Sequence, residues 1–541
     1  MHRQRRDSLV LTLLAASASL GSFLYFFLHD EILLYGDAVA HINIARRVFD
    51  SLTPGPLQLG TVWLPLPHVL TIPFVIWDWA WRTGAGGSAV SMAAYVAGVL
   101  GVARLFWGTG LSPNPTVGRA SGWMATLVYG ANPNLLYLQA TAMTEALSLA
   151  LTIWALVFYL EFVNAMSESR RIELSVTQRD FAMRRARSKL EWLAIALAAG
   201  MLTRYDAWLL AGVAWVGIWW QLKQGAFPSL AKAAKRFFLL TALVPLLWLA
   251  YNFGVFGNPL EFAIGPYSAR AIAHRSAQQG MATYPGERHV LVAALYFFKA
   301  AKLNLAAGKI VGVFLLAGAF GATWLLARRK FGLLTMLALP LLFYPLSMAY
   351  GGVPIFMPVW RPFSYYNVRY GLQLLPAFAL CVGILFGVLW GANGKFVRAS
   401  LCGSFLALLA ASYAGEWRAV PITLREARIN SASRIEFEKE LAAELERLPR
   451  DATLLMYTGD HVGALQRAGI HLSRVINEGN YSIWQNALAQ PVAYAQFVVA
   501  MQGDPVWEAA QKLEAQLVPV ARIEVPGQAP AVLYKTASAA R

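Results

Sequence analysis

Leu9-Val10-Leu11-Thr12-Leu13-Leu14-Ala15-Ala16-Ser17-Ala18-Ser19-Leu20-Gly21-Ser22-Phe23-Leu24-Tyr25-Phe26-Phe27-Leu28 runs without a charge, behind Met1-His2-Arg3-Gln4-Arg5-Arg6 and ahead of Asp30-Glu31. A helix needs roughly 20 mostly apolar residues to cross a bilayer, and this stretch has that length. It is too long for a signal-peptide core, and no small-x-small cleavage site closes it, so it reads as a first membrane helix. Similar windows recur near 8–28, 88–107, 121–138, 141–163, 190–204, 205–221, 237–253, 309–327, 331–350, 370–391 and 397–414, about eleven spans in all by window reading. The stretch 68–82 is apolar but short, ends in Asp78 and Arg82, and reads as a helix lying at the membrane interface.

Composition agrees with that reading. Hydrophobic residues make up 57% of the 541 and charged ones only 14%, with a mean hydropathy of +0.47. So few charges cannot cover the surface of a water-soluble chain of this length. A net charge of +17 by itself points towards nucleic acid, but its distribution argues otherwise, because the basic residues sit in short clusters between apolar stretches and not along one polar face. Cys381 and Cys402 both lie in apolar stretches and supply neither a disulfide framework nor a metal spacing.

The basic clusters test the topology. If Arg3, Arg5 and Arg6 are cytoplasmic, alternation puts 164–189, 222–236, 328–330 and 392–398 on the same side. These loops hold Arg170, Arg171, Arg184, Arg185, Arg187 and Lys189, then Lys223, Lys232, Lys235 and Arg236, then Arg328, Arg329 and Lys330, then Lys395 and Arg398. Every one is basic, as the positive-inside rule requires. The other side receives the long loops 29–87, 254–308 and 351–369 and everything after 414. The expected fold class is therefore a polytopic α-helical membrane protein of about eleven transmembrane helices with a small C-terminal α/β soluble domain. Residues 1–414 form the membrane part and 415–541 an extracytoplasmic domain, in a bacterial inner membrane. In that domain Arg434 to Leu448 reads as an amphipathic helix. β-type runs follow at Thr453 to Tyr457, Phe497 to Ala500, Val518 to Ile523 and Ala531 to Tyr534, with helical stretches between them.

Ionisable residues in or beside spans are costly and tend to be functional. Asp37 and His41 share one side of a helix if Tyr35 to Asn43 is helical. Glu145 starts the fourth span, Arg204-Tyr205-Asp206 forms a turn between two spans, and Arg369-Tyr370 opens the tenth. By the topology above, all of these reach the same membrane level on the non-cytoplasmic side. A transporter or flippase needs a polar path across the bilayer, which a one-sided cluster does not provide.

At this point the chain resembles the GT-C superfamily of integral-membrane glycosyltransferases. Gly36-Asp37 followed by Ala45-Arg46 is similar to that family's Gly-Asp-Glu segment. Trp63-Leu64-Pro65-Leu66-Pro67-His68 is similar to the Pro-Pro-Leu element of protein mannosyltransferase and aminoarabinose transferase relatives. Leu202-Thr203-Arg204-Tyr205-Asp206 and Asn367-Val368-Arg369-Tyr370-Gly371-Leu372-Gln373-Leu374-Leu375-Pro376 resemble two further elements. The chain departs from the pattern at Ala38, where many relatives carry a second acidic residue, and the first loop has no Asp-x-Asp.

The resemblance implies transfer of a sugar from a polyprenyl-phosphate carrier to an acceptor hydroxyl on a lipid, glycan or protein, by single displacement with inversion. No cofactor is implied beyond the lipid-linked donor; the displacement is expected to be metal-independent, with the divalent-metal requirement still open. Asp37 is then the expected base, and His41, Glu145, Arg204, Tyr205 and Asp206 bind substrate or organise the site. His68, Arg270, Arg275, Lys299, Lys302, Arg369 and Tyr370 are the candidates for the carrier phosphate. An oligosaccharyltransferase or O-antigen ligase is the nearest rival enzyme.

Overall fold

The computed structural model of the chain describes residues 2–112, 114–171, 175–225, 227–278 and 284–537. The first loop follows α1 (His2–Leu28) and contains α2 (Gly36–Arg47), α3 (Leu66–Thr71) and α4 (Asp78–Thr83). The bundle then runs through α5 (Ala85–Trp107), α6 (Pro115–Gly130), α7 (Pro133–Leu138), α8 (Glu145–Ser169), α9 (Val176–Met201), α10 (Asp206–Lys223) and α11 (Pro228–Phe256). After the short α12 (Glu261–Ile264) and α13 (Ala269–Gln278) come α14 (Val290–Leu305), α15 (Val311–Ala327), α16 (Phe331–Ala338), α17 (Pro340–Tyr350), α18 (Leu375–Trp390) and α19 (Lys395–Arg418). Helix α20 (Ile422–Leu445) leads into the C-terminal sheet, whose first helix is α21 (Val462–Ala468).

Among the described residues, eight helical segments are long and apolar enough to cross a membrane. The chain is a polytopic α-helical membrane protein. The other three expected spans are helical too, but each falls short for a physical reason. The stretch 121–138 is divided between α6 and α7 because Asn132 caps a new helix start at Pro133. The stretch 190–204 takes in only the apolar last part of α9, which ends at Met201 and carries Arg184, Arg185, Arg187 and Lys189 just before that part. Helix α10 begins on Asp206 and ends on Lys223, which leaves 18 residues with a charge at each end.

Polar contacts gather the basic segments at one end of the bundle. The Gln4 amide donates to the Trp107 carbonyl at 3.0 Å, Arg119 pairs with Asp7 at 2.6 Å, and Arg170 donates to the Gln221 carbonyl at 2.6 Å. The start of α1 thereby meets the end of α5 and the start of α6, and the end of α8 meets the end of α10. At the opposite end Arg428 on α20 pairs with Glu31 at 2.6 Å, just past α1.

The C-terminal sheet has the order β2-β1-β3-β5-β4, built from β1 (Leu454–Met456), β2 (Val475–Ile476), β3 (Phe497–Met501), β4 (Leu517–Ile523) and β5 (Ala531–Thr536). Strand β1 pairs in parallel with β2 and β3, and β5 is antiparallel to β3 and β4. Strands β1 and β3 are buried along their whole length, so they read as unbroken apolar runs. The two-residue β2 is too short to leave a pattern in the sequence.

One face of this sheet shares a core with the first loop. Leu454, Met456 and Val499 pack in one cluster with Phe437 and Leu441 of α20, and with Ile42, Ala45, Val75 and Trp81. The opposite face, carrying Leu455 and Val498, packs on Trp484 and Val506, as strand alternation dictates. The first loop is clamped further by a closed triangle. Asn43 donates to Gln466 at 2.6 Å, Gln466 to the Trp81 carbonyl at 2.7 Å, and Trp81 to Asn43 at 3.0 Å. Arg46, almost fully buried, pairs with Asp50 at 2.8 Å and Asp78 at 2.7 Å and donates to the Val75 and Ile76 carbonyls. Around this core, Trp77 and Trp79 stay exposed while Val75 and Trp81 are buried, so 68–82 is a broken, two-faced helical segment.

Candidate active site

Three carboxylates each stand in the first turn of a helix: Asp37 in α2, Glu145 in α8 and Asp206 in α10. The unpaired N–H groups and the dipole at a helix start favour a negative charge there. Arg369 comes from a 3-10 turn, Val368–Leu374, entered through Asn367 at φ 56° and followed directly by α18. Asparagine is among the few side chains that tolerate that left-handed conformation. Gly371 lets the turn press on α14, because a Cβ there would lie 2.4 Å from the Ala300 carbonyl carbon.

Each of the three nitrogens of the Arg369 guanidinium donates to a carboxylate. Nη2 donates to Asp37 Oδ2 at 2.5 Å, Nε to Glu145 Oε1 at 3.2 Å, and Nη1 to Glu426 Oε1 at 3.3 Å. The rings of Tyr35 and Tyr370 cover it at 5.0 and 5.1 Å. Glu426 lies on α20 and also accepts from the Val368 N–H at 2.7 Å.

Arg204 stands beside this group with longer contacts. It donates to Thr144 and to Glu145 Oε1 at 3.4 Å and to the Tyr344 hydroxyl at 3.0 Å, and its Nε is 3.9 Å from Asp206. Tyr344 in turn donates to Asp206 at 2.8 Å. Four carboxylates thus surround two guanidiniums. Their burial is uneven: Glu145 and Glu426 are 1% exposed, whereas Asp37 is 39% exposed. Asp37 stands at the mouth of the cluster with Oδ1 unpartnered among the described residues.

Solved structures share this architecture. ArnT from Cupriavidus metallidurans in the apo state superposes with a TM-score of 0.53 at 13% identity, over 97% of this chain and 98% of that one. ArnT bound to undecaprenyl phosphate gives 0.55 at 14% identity, over 96% and 97%. The chain shares the fold of these two ArnT structures. The Archaeoglobus fulgidus oligosaccharyltransferase tethered with an acceptor peptide aligns at a TM-score of 0.47 and 10% identity, over 97% of this chain and 74% of that one. No protein-family model and no curated protein matches the sequence.

His41, one turn after Asp37, turns to His68, with Nδ1 2.8 Å from Nε2. Burial pushes His41 down to about 4 and holds His68 well below the usual histidine range, so the pair is neutral at physiological pH. Tyr205 turns from the ion cluster to the first loop and α11: it donates to the Val62 carbonyl at 3.1 Å and accepts from Trp248 at 3.2 Å. Tyr370 lies beneath both guanidiniums.

The cations of 254–308 stand apart from the cluster. Arg270 is exposed on α13, and the Arg275 side chain lies outside the described residues. Lys299 and Lys302 are half-buried on α14, with Lys299 5.9 Å from the Trp360 ring centre. At 100° per residue they project away from the face of Asn304, which donates to the Val368 carbonyl. No group of three or more His, Cys, Asp or Glu side chains among the described residues is arranged to hold a metal ion.

Two members of the cluster escaped the sequence reading, Glu426 and Tyr344. Glu426 had a usable signal. It follows the last apolar stretch by about one dozen residues, on a helix face with Thr423, Leu424 and Ala427, all buried. A carboxylate on an apolar face demands a partner. Tyr344 gives no such signal, because one tyrosine in an apolar helix reads as packing.

Proposed function

We propose that this protein is a membrane glycosyltransferase, hexosyl or pentosyl, that moves a sugar from a polyprenyl-phosphate carrier to an acceptor hydroxyl. The reaction runs at the extracytoplasmic end of a bacterial inner-membrane protein whose N-terminus is cytoplasmic. The observation that carries the reading is the held, half-open carboxylate: Arg369 grips one oxygen of Asp37 at 2.5 Å, while the carboxylate itself is 39% exposed. The GT-C fold supports it, since a neighbour with this fold was solved bound to undecaprenyl phosphate.

In the proposed step the acceptor hydroxyl oxygen attacks the anomeric carbon from the side opposite the phosphate. The carbon–phosphate-oxygen bond breaks, and its electron pair leaves with the polyprenyl phosphate. The acceptor proton passes to Asp37 Oδ1, a general-base contribution typically worth about 10²–10⁴ in rate. Arg369 is then a positioning residue, because each of its three nitrogens already holds a carboxylate. The leaving phosphate draws on Arg204, whose contacts are longer and whose side chain is 16% exposed. Fixed cations at a developing anion are a large part of such catalysis, and Arg270, Lys299 and Lys302 are the further candidates. Glu145, Asp206 and Glu426 keep the guanidiniums in place, and the step needs no divalent metal.

The test uses purified protein with polyprenyl-phosphate carriers bearing labelled mannose, glucose or aminoarabinose. One label is expected to move to a hydroxyl acceptor, and Asp37→Asn is expected to stop it while donor binding persists. Transfer at the wild-type rate by folded Asp37→Asn would remove Asp37 from the base role.

A further inference from the structure

At the basic end of the bundle, remote from Asp37, a crevice of about 350 Å³ lies between α1, α5, α8 and α9. Arg104 and Lys189 line it and share one carboxylate. Arg104 Nε is 2.7 Å from Glu161 Oε1, and Lys189 Nζ is 2.7 Å from Glu161 Oε2. Glu161 is 5% exposed, whereas Arg104 is 46% exposed. Gly108 makes room for the arrangement: a Cβ there would come within 2.6 Å of Arg104 Nε and 3.0 Å of Glu161 Oε1.

The cluster therefore carries one cation more than it neutralises. Arg104 has both Nη groups without a hydrogen bond among the described residues, and Lys189 sits 5.6 Å from the Phe158 ring centre. Gln4 and Ser8 add polar edges, while Leu100, Trp154 and Phe158 make the remaining wall apolar. Nearby Leu9, Leu13 and Trp192 are exposed apolar side chains of the bundle's outer face, which in a membrane protein is the lipid-facing surface. A polar, net-positive recess that opens beside such a surface, at the end where the basic loops gather, suits a ligand with an anionic head and an apolar tail.

We propose that this crevice binds the phosphate headgroup of an anionic membrane phospholipid. The Arg104 fork and the Lys189 ammonium hold the phosphate oxygens, and the acyl chains run along α1 and α9. Glu161 acts as a positioning residue: it fixes both cations so that little side-chain freedom is lost when the lipid arrives.

The experiment uses the full chain, delipidated in a neutral detergent, and reads thermal unfolding by tryptophan fluorescence. It is titrated with phosphatidylglycerol, phosphatidylcholine or inorganic phosphate. Phosphatidylglycerol is expected to raise the unfolding midpoint saturably, and the other two to leave it unchanged. Arg104→Gln keeps Lys189 on Glu161 and is expected to weaken the phosphatidylglycerol effect about tenfold, the loss of charge-assisted contacts. Ser8→Trp fills the crevice, leaves the ion triad untouched and is expected to abolish the effect, so the test survives if Arg104→Gln fails to fold. Equal protection by phosphatidylcholine or by inorganic phosphate would overturn the proposal. So would a wild-type phosphatidylglycerol response from folded Ser8→Trp.

Discussion

Replacing Arg369 with methionine separates two roles for that residue. Its guanidinium meets Glu145 at 3.2 Å, Glu426 at 3.3 Å and Asp37 at 2.5 Å, and the first two carboxylates are 1% exposed. Removing one partner from a buried ionic group leaves uncompensated charge and costs about 3–5 kcal/mol. Arg369→Met is therefore expected to lose stability of that order. Adding Glu426→Gln removes one of the stranded charges, while the amide oxygen can still accept from the Val368 N–H. The double variant is expected to recover about 0.5–3 kcal/mol relative to additivity, the range of coupling between directly contacting groups. The assay is the unfolding free energy from denaturant titration of the wild type, both single variants and the double variant in one detergent. Donor-lipid binding is measured on the same samples. If Arg369 instead waits for a phosphate, Arg369→Met will weaken lipid binding and shift stability by less than about 0.5 kcal/mol, as an ordinary surface substitution does. That result, or strict additivity in the cycle, would refute the positioning role.

Asp37→Asn is expected to lower the transfer rate by about 10²–10⁴ with unfolding unchanged, measured as label transfer under saturating donor. Chelation with EDTA is expected to leave transfer intact, and a loss restored by a divalent ion would overturn the metal-independent step. Asn43→Leu strands Gln466 Oε1 and Trp81 Nε1, each costing about 1–3 kcal/mol, so it is expected to expose the C-terminal sheet to protease; unchanged digestion would sink the clamp. For pH, His41 falls from 6.5 to about 4 on folding and His68 falls well below 6.5. The unfolded chain then binds protons that the folded chain does not, so stability is full above pH 6.5 and declines as pH drops from there to about 4. His68→Gln is expected to flatten that decline in unfolding midpoint against pH, and an unchanged slope would exclude the histidine pair as its source.

The sequence by itself determined the membrane class, the grouping of basic loops and the α/β character of the C-terminal domain, and it pointed to most of the charged side chains that the fold gathers around Arg369. Hydropathy and strand alternation are local properties, legible wherever one face meets lipid or core, and a charge beside an apolar stretch stands out against it. Tertiary structure decided what those charges do. Asp37 and Arg369 are 332 residues apart in the chain, and no local pattern says that the guanidinium meets three carboxylates. Glu426 shows the reason most clearly. Its role arises because α20 turns back from the C-terminal domain and buries a carboxylate beside Arg369, and a buried charge is stable only where a distant partner meets it. Likewise, one periodicity puts Asp37 and His41 on the same side of α2, but only packing turns one to Arg369 and the other to His68.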